Sequence, residues 1–119
     1  MYTMKKSEIY QEERPWGNFR QFVHDIPCTV KILTVKPNGT LSLQSHEKRS
    51  EFWRVIKGSG FVEIADEKFE VKEGDEYEIP VGTKHRLGAQ NEELQILEIA
   101  TGGFDEGDII RYEDKYGRN

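Results

Sequence analysis

Cysteine is almost absent from this sequence of 119 residues, which contains only Cys28. One cysteine cannot form an intrachain disulfide, and zinc sites built from several thiolates are excluded, so a reducing compartment fits best. Long hydrophobic runs are also missing. No stretch approaches the roughly 20 apolar residues of a membrane span, and residues 1–13 carry no apolar signal-peptide core. We therefore expect a cytoplasmic protein without a membrane partner.

An excess of basic residues is missing as well. Lys and Arg number 17 against 22 Asp and Glu, which gives a net charge of −5 and a pI near 5.3. This balance argues against a nucleic-acid partner, because no broad cationic surface is available to displace counterions from a phosphate backbone. A small anion such as a sugar phosphate stays possible, since a few cations that converge in a pocket act locally.

The length allows one domain with one core. We predict a polar leader over residues 1–13 and a single domain over residues 14–119, with regular structure beginning near Arg14 at the turn RPWG. Runs rich in β-branched and aromatic residues then predict short strands. These strands are Asn18–His24, Cys28–Lys36, Leu41–His46, Phe52–Lys57, Phe61–Ile64, Lys68–Val71, Tyr77–Ile79, His85–Leu87 and Leu94–Ala100.

Turn-forming residues separate these strands, as in PNG at Pro37–Gly39, GSG at Gly58–Gly60 and PVG at Pro80–Gly82. No amphipathic stretch longer than about two helical turns competes with a β structure. The pattern therefore predicts an all-β, antiparallel sandwich or barrel made of hairpins. The tail after Gly102 is polar apart from Ile109, Ile110 and two tyrosines, and it is compatible with a flap, a short helix or a last strand.

Four residues have the spacing of one metal site on two hairpins: Gln44, His46, Glu51 and His85. Residues two apart on a strand share a face, so Gln44 and His46 project together. The odd interval to Glu51 contains the turn-like sequence EKRS, after which a returning strand can bring Glu51 beside them. His85 follows the rigid PVG turn and can reach the same interior.

Two imidazoles, a carboxylate and an amide suit one divalent ion and leave positions open for water or substrate. We expect zinc first, with manganese, iron, cobalt or nickel as alternatives. The structural alternative is a vestigial site, in which these polar side chains only form hydrogen bonds inside the barrel.

The run GTLSLQSHEKRSEFWRVIKG resembles the first cupin motif, and Gly74, Pro80, Gly82 and His85 match the second. Within that superfamily the chain resembles the type II mannose-6-phosphate isomerase domain. The similarity runs from about Arg14 to Arg118 and involves five motifs. They are RPWG at Arg14–Gly17, SLQSH at Ser42–His46, RSEFW at Arg49–Trp53, IPVGTKHR at Ile79–Arg86 and DIIRYEDKYGR at Asp108–Arg118.

This resemblance implies a small antiparallel cupin barrel (a double-stranded β-helix, jelly-roll-like) that interconverts mannose 6-phosphate and fructose 6-phosphate, and it suggests a homodimer. The same domain forms the C-terminal part of bifunctional enzymes that make GDP-mannose; no signature of their nucleotidyltransferase half is present here. The sequence departs from many members at Lys48 and Phe52, where they carry histidines.

Isomerisation needs cations for the phosphate and a base that moves a proton. The candidate substrate-binding residues are Arg14, Arg49, Lys84, Arg86 and Arg111, with Arg49 and Arg111 favoured because arginine grips phosphate in a bidentate fork. The candidate bases are Glu98, whose alternating strand LQILEIA can turn it inward, and Lys31.

Other residues receive structural interpretations. We assign His24 to the surface, and Trp16, Trp53, Phe52, Phe61 and Tyr77 to the core or to sheet packing. Two rival functions stay open on the same scaffold. One is a non-catalytic cupin that binds a sugar or sugar phosphate, and the other is a different metalloenzyme, such as a dioxygenase or a sugar epimerase.

Overall fold

A computed structural model describes residues 2–103, 105 and 107–117. Within these residues it consists of antiparallel strands and one turn of 3-10 helix at Lys6–Glu8. The strands are β1 (Tyr10–Arg14), β2 (Gly17–Gln21), β3 (Cys28–Val35), β4 (Leu43–Ser45), β5 (Arg49–Lys57), β6 (Gly60–Ile64), β7 (Glu67–Val71), β8 (Glu76–Ile79), β9 (His85–Ala89), β10 (Leu94–Gly102) and β11 (Ile110–Glu113). The predicted all-β antiparallel class is confirmed. No helix of the described part has the length and apolarity needed to cross a membrane.

Two large sheets face each other. One has the strand order β3-β10-β5-β8 and the other the order β11-β4-β9-β6-β7. Buried side chains from both sheets form one hydrophobic core; they include Trp53 and Ile96 from the first sheet and Val62 and Leu87 from the second. The ring of Trp53 in this core packs edge-on against the ring of His85, with 5.6 Å between the ring centroids, so the core adjoins the predicted site.

The outer face of the four-stranded sheet carries a second, smaller core. Phe52 and Ile99 pack there with Met4. Met4 is buried, and its backbone N–H donates to the Thr101 hydroxyl at 2.6 Å. Part of the predicted polar leader therefore packs against this face of the sheet through Met4.

Strand structure begins before Arg14, contrary to the prediction. Strand β1 pairs with β2 through the Pro15–Trp16 turn, and this two-stranded arm joins neither large sheet. Trp16 lies at the tip of the arm and is 73% exposed, so its assignment to the core is wrong. A salt bridge between Arg20 of β2 and Glu76 of β8 ties the arm to the barrel. The predicted domain end at residue 119 lies outside the described residues.

The tail forms a strand, one of the three conformations that the sequence left open. Strand β11 pairs with β4, so that Ile110 lies opposite Ser45 and Arg111 lies opposite Gln44. Tyr112 adds a hydrogen bond between its hydroxyl and that of Ser45 at 2.9 Å. This pairing places the tail directly beside the strand that contains Gln44 and leads into His46.

Candidate metal centre

The turn between β4 and β5 brings His46 and Glu51 together. These two strands belong to different sheets, so the predicted hairpin between them is wrong, and the turn crosses from one sheet to the other. Strand β4 ends at Ser45, the chain turns, and β5 returns from Arg49. Side chains do not alternate regularly through the turn, so Glu51 projects to the same side as His46 although the two residues are five positions apart. His85 starts β9 and lies opposite Gln44 of β4. The predicted convergence of strand, turn and strand is confirmed for these residues.

The three charged or ionisable ligands form a tight, buried cluster. The Nε2 atoms of His46 and His85 each lie 3.4 Å from an oxygen of Glu51, on Oε2 and Oε1 respectively. One candidate ligand atom from each residue lies within 4.8 Å of the others. Each of the three residues is at most 4% exposed. The sequence predicted this set from its spacing alone.

Hydrogen bonds fix which ring nitrogen of each histidine carries the proton. His46 Nδ1 lies 2.7 Å from the main-chain carbonyl of Asp108, and His85 Nδ1 lies 2.8 Å from that of Thr83. A carbonyl only accepts, so both Nδ1 atoms donate. In the neutral rings the lone pairs are therefore on Nε2, and both face Glu51.

Burial keeps these rings neutral. It lowers the pKa of His46 and lowers that of His85 to about 4, although the carbonyl partners act in the opposite direction. Neutral imidazole is the form that binds metals. Both rings therefore favour the neutral form that coordinates a metal more than an ordinary histidine does.

The arrangement fits a divalent cation. Two lone pairs and a carboxylate that face one another at 3.4 Å repel unless a positive charge lies between them. Ligands bound tetrahedrally at about 2.1 Å are themselves about 3.4 Å apart. His85 Nε2 is, besides, a buried atom without a hydrogen-bond partner in the described structure. The His-Glu-His group can therefore hold a metal ion.

Gln44 is positioned beside this group. Its register places it between His85 of β9 and Arg111 of β11, so the three side chains share the inner face of one sheet. Its amide is therefore directed to the same side as the metal ligands. Its role as a fourth ligand stays a prediction.

Glu98 lies in the same interior and is 8% exposed. Trp53, its register partner on β5, donates from Nε1 to Glu98 Oε1 at 3.2 Å. Burial raises the pKa of Glu98 to about 7, helped by the charge of Glu51 and a hydrogen bond with it. A carboxyl that titrates near neutral pH can both take up and return a proton.

Lys31 lies on β3 opposite Glu98, but its side chain is largely exposed. Its charge opposes the rise in the pKa of Glu98. In this position Lys31 is better suited to modulate the carboxyl than to replace it as the base.

Two of the predicted cations lie at the site. Arg49 donates from Nε to Glu51 Oε2 at 3.4 Å and from Nη2 to His46 Nε2 at 3.2 Å. Arg111 lies in the same row as Gln44 and His85, and its buried Nε has no hydrogen-bond partner among the described residues. A buried guanidinium N–H without a hydrogen-bond partner is suited to an anionic ligand.

The other three cations have their contacts elsewhere. Arg14 lies on the arm and pairs with Glu12. Lys84 lies over the ring of Tyr112 at 4.2 Å, and Arg86 projects to the face of β9 opposite His85, where it pairs with Glu63 and Glu113. The structure does not bring these three side chains to the metal cluster, so their predicted roles in substrate binding gain no support.

The two departures from the resembling family lie away from the ligands. Phe52 is buried in the outer core, on the face of β5 opposite Glu51. Lys48 lies on the exposed turn, with its Nζ 3.9 Å from Asp105. Neither position is needed for the His-Glu-His group.

Sequence reasoning missed two contributors. Trp53 was assigned only to packing, and it also holds Glu98. Asp108 was not singled out, although it contacts His46 through its main-chain carbonyl. A main-chain contact leaves no signature in residue identity; only the position of Asp108 at the start of the motif DIIRYEDKYGR pointed to this segment.

The chain is similar to several proteins of known name. It is 39% identical over 93% of its length to a mannose-1-phosphate guanylyltransferase of Klebsiella pneumoniae. It is 38% identical over 98% of its length to the alginate biosynthesis protein AlgA of Pseudomonas aeruginosa PAO1. The alignments cover 23% and 24% of these relatives, so the chain spans about a quarter of their length.

Similar solved structures are cupins. A cupin protein from Bacteroides fragilis has a TM-score of 0.59 and 24% identity, over 68% of this chain and 75% of that one. A double-stranded β-helix protein from Klebsiella pneumoniae has a TM-score of 0.64 and 17% identity, over 73% and 76%. These matches confirm the predicted cupin fold.

A family model described as mannose-6-phosphate isomerase C-terminal matches residues 3–114. The match begins before Arg14, in agreement with the buried N-terminal segment. The chain therefore belongs to the family of cupin domains described as the C-terminal domain of mannose-6-phosphate isomerase.

Proposed function

We propose that this chain is a metal-dependent aldose-ketose isomerase that interconverts mannose 6-phosphate and fructose 6-phosphate. The observation that carries the proposal is a titratable carboxyl, Glu98, in the same buried interior as a His-Glu-His group with an unpaired Nε2. The substrate comes from the family description. The nucleotidyl transfer named for a longer relative is not carried over, because the chain spans only about a quarter of that protein.

His46, Glu51 and His85 would hold one divalent ion, zinc first among the candidates, with Gln44 as the expected fourth ligand. When bound, such an ion stabilises negative charge that develops on the substrate oxygens. Arg49, whose guanidinium lies at this cluster, adds positive charge at the same place.

Glu98 would transfer the proton between adjacent carbons. Its carboxylate removes the proton from C2 of the aldose as the C1–C2 double bond forms and the electrons of the C1 carbonyl move onto O1. The protonated carboxyl then returns that proton to C1 as O2 becomes the carbonyl oxygen of the ketose, and the proton of the O2 hydroxyl passes to O1. Trp53 holds the carboxyl during both steps, and a pKa of about 7 suits both of its forms to the reaction.

Arg111 is the strongest candidate for the phosphate. It faces the inner side of the sheet beside Gln44, and its buried Nε has no partner in the described structure. A phosphate oxygen would satisfy this donor with a charge-assisted hydrogen bond.

The test is a coupled assay that detects fructose 6-phosphate formed from mannose 6-phosphate. We expect turnover by the metal-loaded protein, loss after chelation and recovery when a divalent metal is returned. The His46→Ala variant should be inactive. The matched control is His24→Ala, which removes an exposed histidine outside the cluster and should keep full activity.

The same assay tests the phosphate contact. Loss of a charge-assisted hydrogen bond costs about 1.5–3 kcal/mol, so Arg111→Gln should raise KM by roughly 10- to 100-fold with a smaller effect on kcat. Arg86→Gln, which removes an arginine from the opposite side of β9, should leave KM unchanged.

Other outcomes separate the rival functions. Tight metal binding with sugar-phosphate binding but no turnover would favour a non-catalytic module. Oxygen consumption by an iron-loaded protein would favour a dioxygenase, and inversion at one carbon without ketose formation would favour an epimerase. Each of these results would contradict the isomerase proposal.

A further inference from the structure

Asp108 precedes β11 and makes three contacts with the β4–β5 turn. Its carboxylate accepts the backbone N–H groups of Glu47 and Lys48 at 3.0 and 2.9 Å. Its main-chain carbonyl accepts the Nδ1–H of His46 at 2.7 Å. One residue of the tail therefore binds both the metal-ligand histidine and the turn that follows it.

We propose that Asp108 is a positioning residue for the metal centre. Its carboxylate fixes the turn, and this holds its carbonyl where it keeps His46 as the Nδ1–H tautomer with Nε2 directed at Glu51. The inference rests on the metal site of the proposed function, but the orientation of His46 can be measured without metal.

The two histidines differ in how they are held. His85 donates to the carbonyl of Thr83, which is two residues away on the same segment. His46 donates to a residue 62 positions away in the sequence. Only His46 therefore depends on the docking of a distant segment, and a change at Asp108 should affect one ligand of the pair.

The same segment carries Arg111, three residues further along the chain, into the row with Gln44. The contacts of Asp108 therefore align the candidate phosphate cation and His46 together. Outer groups that orient a metal-binding histidine typically change metal affinity 10- to 100-fold when they are removed.

The experiment compares Asp108→Ala with a matched control, Asp75→Ala. Asp75 also accepts a backbone N–H in a turn between two strands, from Lys72 at 3.0 Å. That turn joins β7 and β8 and contains none of the metal ligands. Co²⁺ is titrated into the metal-free full chain and followed by its absorption bands. Ring ¹⁵N shifts report the His46 tautomer in the metal-free state.

We expect Asp108→Ala to weaken Co²⁺ binding by roughly 10- to 100-fold and to give a mixture of His46 tautomers. Asp108→Asn keeps one acceptor oxygen and should lie between Asp108→Ala and the wild type. Asp75→Ala should retain the wild-type Co²⁺ affinity and tautomer.

Wild-type affinity and a single Nδ1–H tautomer in Asp108→Ala would overturn the inference, as would equal losses in Asp75→Ala. A wild-type protein that binds no Co²⁺, but whose His46 tautomer is lost in Asp108→Ala, would refute the metal-dependent function while the positioning of His46 stands. Co²⁺ binding with no isomerase turnover would refute the function alone.

Discussion

Glu51 and Glu98 are neighbouring buried carboxyl groups with different surroundings. Glu51 lies 3.4 Å from Nε of Arg49 and 3.4 Å from Nε2 of each imidazole. Glu98 lies against the apolar core and has Trp53 as its donor. Burial and the charge of Glu51 both raise the pKa of Glu98, so Glu98 keeps its proton to a higher pH than an ordinary glutamate does.

This difference predicts a pH-dependent stability in the metal-free protein. The pKa of Glu98 is about 7 in the fold against 4.5 for an ordinary glutamate. Its contribution to stability is therefore complete below about pH 4.5 and is lost as the pH rises through about 7. Glu98→Gln, which cannot ionise, should gain stability relative to the wild type over this range, as measured by urea unfolding at several pH values.

The control for that series is Glu70→Gln, which neutralises an exposed glutamate on β7. The difference in free energy of unfolding between Glu70→Gln and the wild type should not grow as the pH rises. A constant difference in free energy of unfolding between Glu98→Gln and the wild type from pH 5 to pH 8 would show that Glu98 does not hold the proton.

Single residues were predictable where their identity carries the chemistry. His46, Glu51 and His85 were found from spacing because imidazoles and carboxylates rarely recur at ligand intervals by chance. Asp108 was missed because its contact with His46 uses a main-chain carbonyl, which every residue possesses. Trp16 was misassigned because an aromatic ring is expected in a core, whereas here it caps an arm.

At the scale of elements, turn residues and β-branched runs predicted most strands to within a few residues. Strand β1 was missed because all five of its residues are exposed, so YQEER shows no alternation of apolar and polar side chains. The tail left three conformations open because β11 is mostly exposed and polar. Its pairing with β4 depends on tertiary contacts that no local pattern displays.

Two glycines in the turns that connect the two sheets offer a matched test of close packing. Gly58 and Gly74 have nearly equal φ angles, +89° and +91°. A Cβ on Gly58 would lie 2.0 Å from the carbonyl oxygen of Glu93, whereas a Cβ on Gly74 would meet nothing within 4 Å. Backbone strain is therefore common to both alanine variants, and the clash belongs to Gly58→Ala alone.

We expect the free energy of unfolding of Gly58→Ala to be lower than that of Gly74→Ala by about 1–3 kcal/mol, which is the usual cost of overpacking. Chemical denaturation of both variants beside the wild type measures the difference. If both variants lose the same free energy of unfolding, the β5–β6 turn must move away from Glu93 without a loss of stability.

At the scale of the whole molecule, the predicted homodimer stays a prediction that the surface supports. Strand β3 is an edge of the four-stranded sheet, and it exposes Val30 and Ile32 to 56% and 60%. An exposed apolar edge is a site for pairing with another chain, and a second copy would cover it. The projecting arm adds Trp16 to the exposed apolar surface.

Light scattering after size exclusion should therefore give twice the chain mass of 13.9 kDa. Ile32→Lys should shift the protein to the monomer, because a charge would have to be buried in the contact. Glu67→Lys alters β7, an edge strand of the other sheet, and should leave the dimer intact. A monomeric wild type would refute the prediction.

The alternation along β5 also constrains how this gene can change length. Glu51 faces the imidazoles and its neighbour Phe52 faces the outer core, so a slip of one residue would exchange a carboxylate for a phenyl ring inside the cavity. A single-codon insertion or deletion in this strand thus removes the ligand and places a buried acid among apolar side chains. We therefore expect insertions and deletions to be tolerated in the loops and not in this strand.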